Sequence, residues 1–177
     1  MSSDKNRPLV DFDQQQISLS SNDKILQSAT LRMYVTTNDN NWGSTGKTIG
    51  AYKINSDWIE GNGWNVDNNV SGSGTGVTWS CNVDSNISNN QKDCTVQWDG
   101  GNFNLSPTST MVITNSMINQ WIEFDVTSDV QGFLSGADSN YGWLIKKTGD
   151  DSLNGSIEFA SKESGLHKSE LKLVFQE

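Results

Sequence analysis

Ser28-Ala29-Thr30-Leu31-Arg32-Met33-Tyr34-Val35 is the stretch whose reading decides the fold. Ala29, Leu31, Met33 and Val35 alternate with Thr30, Arg32, Tyr34 and Thr36. Successive side chains of a strand point to opposite faces, so this stretch has one apolar face and one wet face. Trp121-Ile122-Glu123-Phe124-Asp125-Val126-Thr127 repeats the pattern, with Ile122, Phe124 and Val126 against Glu123, Asp125 and Thr127. Ile157 and Phe159 point together, and so do Leu171, Leu173 and Phe175. Half-buried strands of this kind belong to antiparallel sheets packed face to face. The fold expected is all-β, a two-sheet antiparallel sandwich.

Three further segments read as strands: 7–13, 141–146 and 158–163. Turn clusters such as Asn38-Asp39-Asn40-Asn41 and Gly149-Asp150-Asp151-Ser152 separate them. One short helix is expected. Ser128 can cap it, Val130, Phe133 and Leu134 fall on one side, and Gly136 stops it. The chain reads as a single domain over 1–177, with a loop-rich insertion over 61–107. That insertion is dominated by Gly, Asn, Ser and Asp and interrupted by Trp64, Trp79 and Trp98. A structureless loop of that length is unusual inside a compact domain, so a hairpin is expected there, 77–82 against 94–98. Cys81 and Cys94 lie in it with strand-like flanks, and read as a disulfide that pins the hairpin. Such a bridge implies an oxidising compartment. With one histidine and no further cysteine, a zinc site has too few ligands.

The charge balance narrows the partners. Twelve basic and 21 acidic residues give a formal net charge of −9 in 177 residues. Nucleic acid requires a basic face, and anionic lipid surfaces do too. No apolar run is long enough to span a bilayer, so membrane insertion is not expected. The start of the chain, Met1-Ser2-Ser3-Asp4, carries no secretory signal, and the expectation is a trimmed chain from an extracellular or cell-surface protein. Asn-x-Ser sequons stand at Asn69, Asn86, Asn104 and Asn154. Pro107 makes the third a poorer glycosylation acceptor, which leaves Asn69, Asn86 and Asn154.

The strands in their order resemble the DNRLRE-type module, a disaggregatase-related domain grouped with certain carbohydrate-binding modules. That family carries an Arg-x-Leu-Leu-x-Phe-Asp strand, matched by Arg7 to Asp13, and an Ala-Thr-Leu-Arg-Leu-Tyr-Val strand, matched by Ala29 to Val35. Trp58-Ile59-Glu60-Gly61 and, after an insertion, Val77-Thr78-Trp79 follow. Asp125 to Leu134, Gly142 to Lys146 and Glu158 to Glu163 complete the series. The chain departs from the family by starting after its first one or two strands. It also replaces an Arg-Pro before the last strand with Leu166-His167-Lys168-Ser169-Glu170. The resemblance implies a jelly-roll-like sandwich acting as a structural or sugar-binding module, and it does not imply catalysis. The first expectation is therefore a non-catalytic structural or adhesive module of an extracellular surface or filament protein. An absent first strand would leave an open edge that a neighbouring copy of the protein could complete by strand addition. The alternative is a carbohydrate-binding module that recognises a polysaccharide.

Sugar binding needs rigid aromatic faces beside amides and carboxylates. Trp42, Trp64 and Tyr141 lie next to Asn- and Gly-rich loops and are the candidates. Packing over a loop is the other reading of such an indole. Trp79, Trp98, Trp121 and Trp143 sit in strand-like contexts and read as core or hairpin packing. Calcium wants six to eight hard oxygens. Asp39 with Asn40 and Asn41, Asp57 and Glu60 with Asn62, and Asp150 with Asp151 are such oxygen clusters, for a structural Ca2+ or for solvated turns. Glycosidase chemistry needs two facing carboxylates, and no motif here designates a pair. His167 stands alone in a polar segment and reads as a surface histidine, without a nucleophile elbow to serve. Gly72-Ser73-Gly74-Thr75-Gly76 lacks the lysine and helix of a phosphate loop and reads as a turn.

Overall fold

The structure is a computed structural model, and it describes residues 6–62, 73–89, 91–149 and 154–176. The chain forms two compact units, one from Met1–Lys53 with Leu105–Glu177 and one from Ile54–Asn104.

The first unit is the β-sandwich. Its elements in chain order are β1 (Leu9–Val10), α1 (Gln14–Ser21), β2 (Leu26–Asn38), β3 (Lys47–Lys53), β4 (Ser109–Ile113), β5 (Gln120–Asp125), α2 (Thr127–Ser135), β6 (Trp143–Lys147), β7 (Ile157–Phe159) and β8 (Glu170–Phe175). One sheet has the order β1-β6-β3-β4. The other is centred on β2, which pairs with β5 along one edge and, along its other edge, with β8 near its start and β7 near its end. All these pairings are antiparallel.

The alternation on β2 and β5 is what closes the sandwich. Ala29, Leu31, Met33 and Val35 from β2 and Ile122 and Phe124 from β5 are buried. They meet Ile49 and Ala51 of β3, Ile113 of β4 and Trp143 and Ile145 of β6 in one core. Burying a side chain of this size fully contributes about 1.5–3 kcal/mol. Val130 and Phe133 of α2 and Ile17 of α1 belong to the same core. Inside it the Asp129 carboxylate, 7% exposed, accepts from the Trp143 indole N–H (2.8 Å) and the Thr108 hydroxyl (2.6 Å). A buried carboxylate is tolerated because charge-assisted donors satisfy it.

Several local expectations are corrected. The segment 7–13 is a strand only at Leu9–Val10. Pro8 has no N–H to add to a ladder. Asp13 serves the helix instead, because its carboxylate accepts from the Gln16 N–H (2.8 Å) and caps α1. There are two α-helices among the described residues, against the one expected. Ser128 does not cap α2. The N-cap position is Val126, and Asp125 Oδ1 instead accepts from the Thr127 N–H (3.0 Å) and hydroxyl (2.6 Å). Gly136 ends α2 in the left-handed conformation, as expected. The strand expected over 158–163 ends at Phe159, because the chain turns at Ser161, whose carbonyl accepts from the Ser164 N–H.

The second unit holds the cysteine pair. Cys81 and Cys94 are disulfide-bonded, with Cα atoms 5.7 Å apart. The hairpin expected around them is reduced to one antiparallel bridge, Cys81 opposite Gln97. The Asn82 N–H donates to Val96 O (3.2 Å) and the Trp98 N–H to Ser80 O (3.0 Å), one on each side of it. Irregular bonds do the rest: the Trp98 indole donates to Thr78 O (2.7 Å), and the Asn82 side chain donates to Asp57 O (2.9 Å). A single turn of 3-10 helix covers Ile87–Asn89.

Candidate glycan-binding face

The wet side of the β2-centred sheet carries the densest chemistry. Register decides it. Tyr34 on β2 stands opposite Trp121 on β5, and Arg32 stands opposite Glu123 on β5 and Glu170 on β8. Thr30 stands opposite Asp125 and Lys172. These residues alternate with the core set, so they share the outward face. His167, in the segment before β8, closes a cluster of three rings with Tyr34 and Trp121. Its ring lies 4.0 Å from the Tyr34 ring at 15°, a stacked pair. Trp121 meets Tyr34 edge-on at 5.4 Å and His167 edge-on at 5.9 Å.

Arg32 is the centre of the polar half. Its guanidinium bonds Glu123 at 2.8 Å and Glu170 at 2.6 Å, and its Cζ lies 4.6 Å from the Trp121 ring centroid. The hydrogen bond to Glu123 and then that to Glu170 raise its pKa above the ordinary value, against the opposing effect of burial. The guanidinium is thereby a charged plane of fixed orientation beside an indole. Such a face offers C–H stacking through its rings, with donors and acceptors for hydroxyls at their rim. Glu123 and Glu170 are each tied to the guanidinium between them, instead of facing one another across an open gap as a hydrolytic pair does.

The residues that the sequence singles out as sites are placed elsewhere. Trp42 is 2% exposed and belongs to the core, which corrects its reading as a stacking residue. Its backbone N–H donates to Asn115 Oδ1, and a Cβ added at Gly155 would come within 2.7 Å of the indole. A ring so enclosed has no face for a sugar. Tyr141 is half-buried in the loop before β6. Trp64 lies outside the described residues, as do Asn69, Asp150 and Asp151. Asp39 and Asp57 hold turns: Asp39 Oδ1 accepts from the Asn41 N–H and Asp57 Oδ1 from the Trp58 N–H. Asp39 belongs to the sandwich unit, while Asp57 and the exposed Glu60 belong to the other unit. Among the described residues no group of three His, Cys, Asp or Glu is gathered for a metal. Asn86 and Asn154 are exposed, and Asn86 Oδ1 accepts from the Ser88 hydroxyl of its own sequon.

Sequence reasoning misses the outward face for a definite reason. Trp121 reads as packing because it opens a strand. Yet the phase that sends Ile122 and Phe124 inward sends Trp121 outward with Glu123. Trp143 is a core residue, as expected.

The family model of carbohydrate-binding module family 96 matches residues 85–176, just over half of the chain. The chain belongs to carbohydrate-binding module family 96. Trp121, Glu123, His167 and Glu170 of the outward face fall within the matched range, while Tyr34 and Arg32 lie on β2, ahead of it. Membership in family 96 agrees with the sugar-binding alternative drawn from the sequence, and with a module that binds without catalysing. No curated protein and no solved structure matches the chain. No helix among the described residues is long and apolar enough to cross a membrane.

Proposed function

We propose that this family 96 module holds an extracellular polysaccharide, without cleaving it, on the outward face of β5, β2 and β8. The observation that carries the reading is the pair Trp121 and Tyr34, opposite one another on β5 and β2, beside the Glu123–Arg32–Glu170 network. Aromatic rings next to charged donors and acceptors suit pyranose units, which present apolar C–H faces to stack and hydroxyls to anchor. The fixed guanidinium adds orientation, because its donors leave the plane in set directions.

The test is retention in native gels cast with a panel of soluble polysaccharides. The chain is expected to be slowed by at least one of them. Trp121→Ala, checked for an unchanged circular dichroism spectrum, is expected to weaken that retention by about tenfold, or about 1.4 kcal/mol. Retention unaltered in both Trp121→Ala and Tyr34→Ala would remove the face from the function.

A further inference from the structure

The Tyr34 ring that would receive the glycan is covered by the protein itself. The His167 imidazole lies parallel to Tyr34 at 4.0 Å, the place and orientation a stacked pyranose would take. It is delivered by a segment unlike the strands beneath it. Residues 161–168, between β7 and β8, are exposed throughout, with Leu166 72% exposed. Ser161, Glu163, Ser164 and Leu166 hydrogen-bond one another within that segment. His167 has a backbone φ of +56°, in the left-handed region that an L-residue with a Cβ enters at a cost. The stacking of the imidazole on Tyr34 thus works against backbone strain at the same residue.

Resting on the proposed glycan-binding face, we infer that His167 is a displaceable cap. The sugar takes the imidazole's place on Tyr34, and the 161–168 segment carries His167 away. The Tyr34 face can hold one ring at this separation, so imidazole and sugar exclude one another. The capped population then reduces apparent affinity by the fraction of molecules left open. Arg32 and Trp121 stay in place, because the Arg32 ion pairs anchor to β5 and β8 rather than to the segment. The cap therefore regulates a platform that is otherwise built.

His167 is the only histidine, so its ring protons give two signals that need no assignment by elimination. In the free chain they are expected to be ring-current shifted by Tyr34. Hexasaccharides of glucose, mannose, xylose and uronic acids serve as probes, titrated into the full chain. The one that binds is expected to return the imidazole signals to unstacked positions at saturation. His167→Gly accepts the positive φ without strain and removes the competitor, and it is expected to bind that hexasaccharide about tenfold more tightly. Imidazole signals that stay ring-shifted in the saturated complex would overturn the cap, and so would weaker binding by His167→Gly. Either result leaves the glycan-binding face standing. If neither protein binds any hexasaccharide, and no polysaccharide of the gel panel retains the chain, the face itself fails and the cap with it.

Discussion

Asp125 shows how much one carboxylate can do at the end of a strand. Its Oδ1 accepts both the hydroxyl and the amide of Thr127, so it starts α2 in the place where the sequence points to Ser128. Those two bonds, the side-chain one first, lower its pKa below the ordinary 3.8, with burial acting weakly the other way. A depressed carboxylate adds stability above its unfolded value, and that contribution is lost as pH falls through the folded value. Asp125→Asn keeps an oxygen acceptor for Thr127 but cannot titrate. The wild type is therefore expected to melt above Asp125→Asn at pH 7, and the difference should close as pH drops below about 3.8. Thermal melts of both proteins across that range check it. A difference that stays constant with pH would mean that the charge on Asp125 is not what stabilises the turn.

Among the elements, β1 is the most dependent on its neighbour. It is two residues long and pairs only with β6, where Leu9 faces Leu144 and Val10 faces Trp143. The Ile145 N–H reaches Pro8 O (2.9 Å). Gly142, which leads into β6, makes this approach possible. Its φ is +74°, and a Cβ there would stand 2.1 Å from Val10 O. Gly142→Ala should cost roughly 1–2 kcal/mol from the left-handed backbone alone, and more from the collision. Hydrogen exchange gives the sharper reading: the Ile145 amide should lose protection while the β2 amides keep theirs. Equal loss in both would mean that the substitution loosens the whole sandwich. Legibility of the elements follows the same physics. β2 and β5 can be read because each has one dry and one wet face. In β3, Ile49, Gly50, Ala51 and Tyr52 are all buried, so there is no alternation to see. In α1 only Ile17 is buried, so no apolar stripe marks the helix, and its one local sign is the Asp13 cap.

At the scale of the whole molecule, the sandwich and its general class are legible in the sequence, while the candidate face is half legible. The phase of each strand already places Tyr34, Arg32, Trp121 and Glu123 outward. What the sequence does not supply is register across strands, which sets Tyr34 against Trp121 and brings Glu170 and His167 to the same face. The two units also differ in what holds them. Every residue of the sandwich core lies outside 54–104. Within 54–104, buried apolar side chains are few, with Ile54 and Cys81 the hydrophobic ones among the described residues and Asn82 and Asp84 buried beside them. No described residue there belongs to a named strand: the backbone pairs through isolated bridges, among them Ile54–Phe103, Gly76–Asp84 and Cys81–Gln97, and through irregular bonds such as the Val77 N–H to Ile59 O (2.7 Å). A unit with so little apolar core relies on its cross-link. Closing a loop between cysteines 13 residues apart contributes about 3 kcal/mol in the chain-entropy view. The double variant Cys81→Ser/Cys94→Ser is therefore expected to become protease-sensitive between residues 54 and 104. The calorimetric transition of the sandwich should stay within about 0.5 kcal/mol of the wild type, as for substitutions far from a core. Limited proteolysis with mass mapping, run beside calorimetry, separates the outcomes. Cleavage confined to 54–104 with an unmoved sandwich transition supports separate supports for the two units. A sandwich transition that falls with the disulfide would show that the cross-link stabilises both.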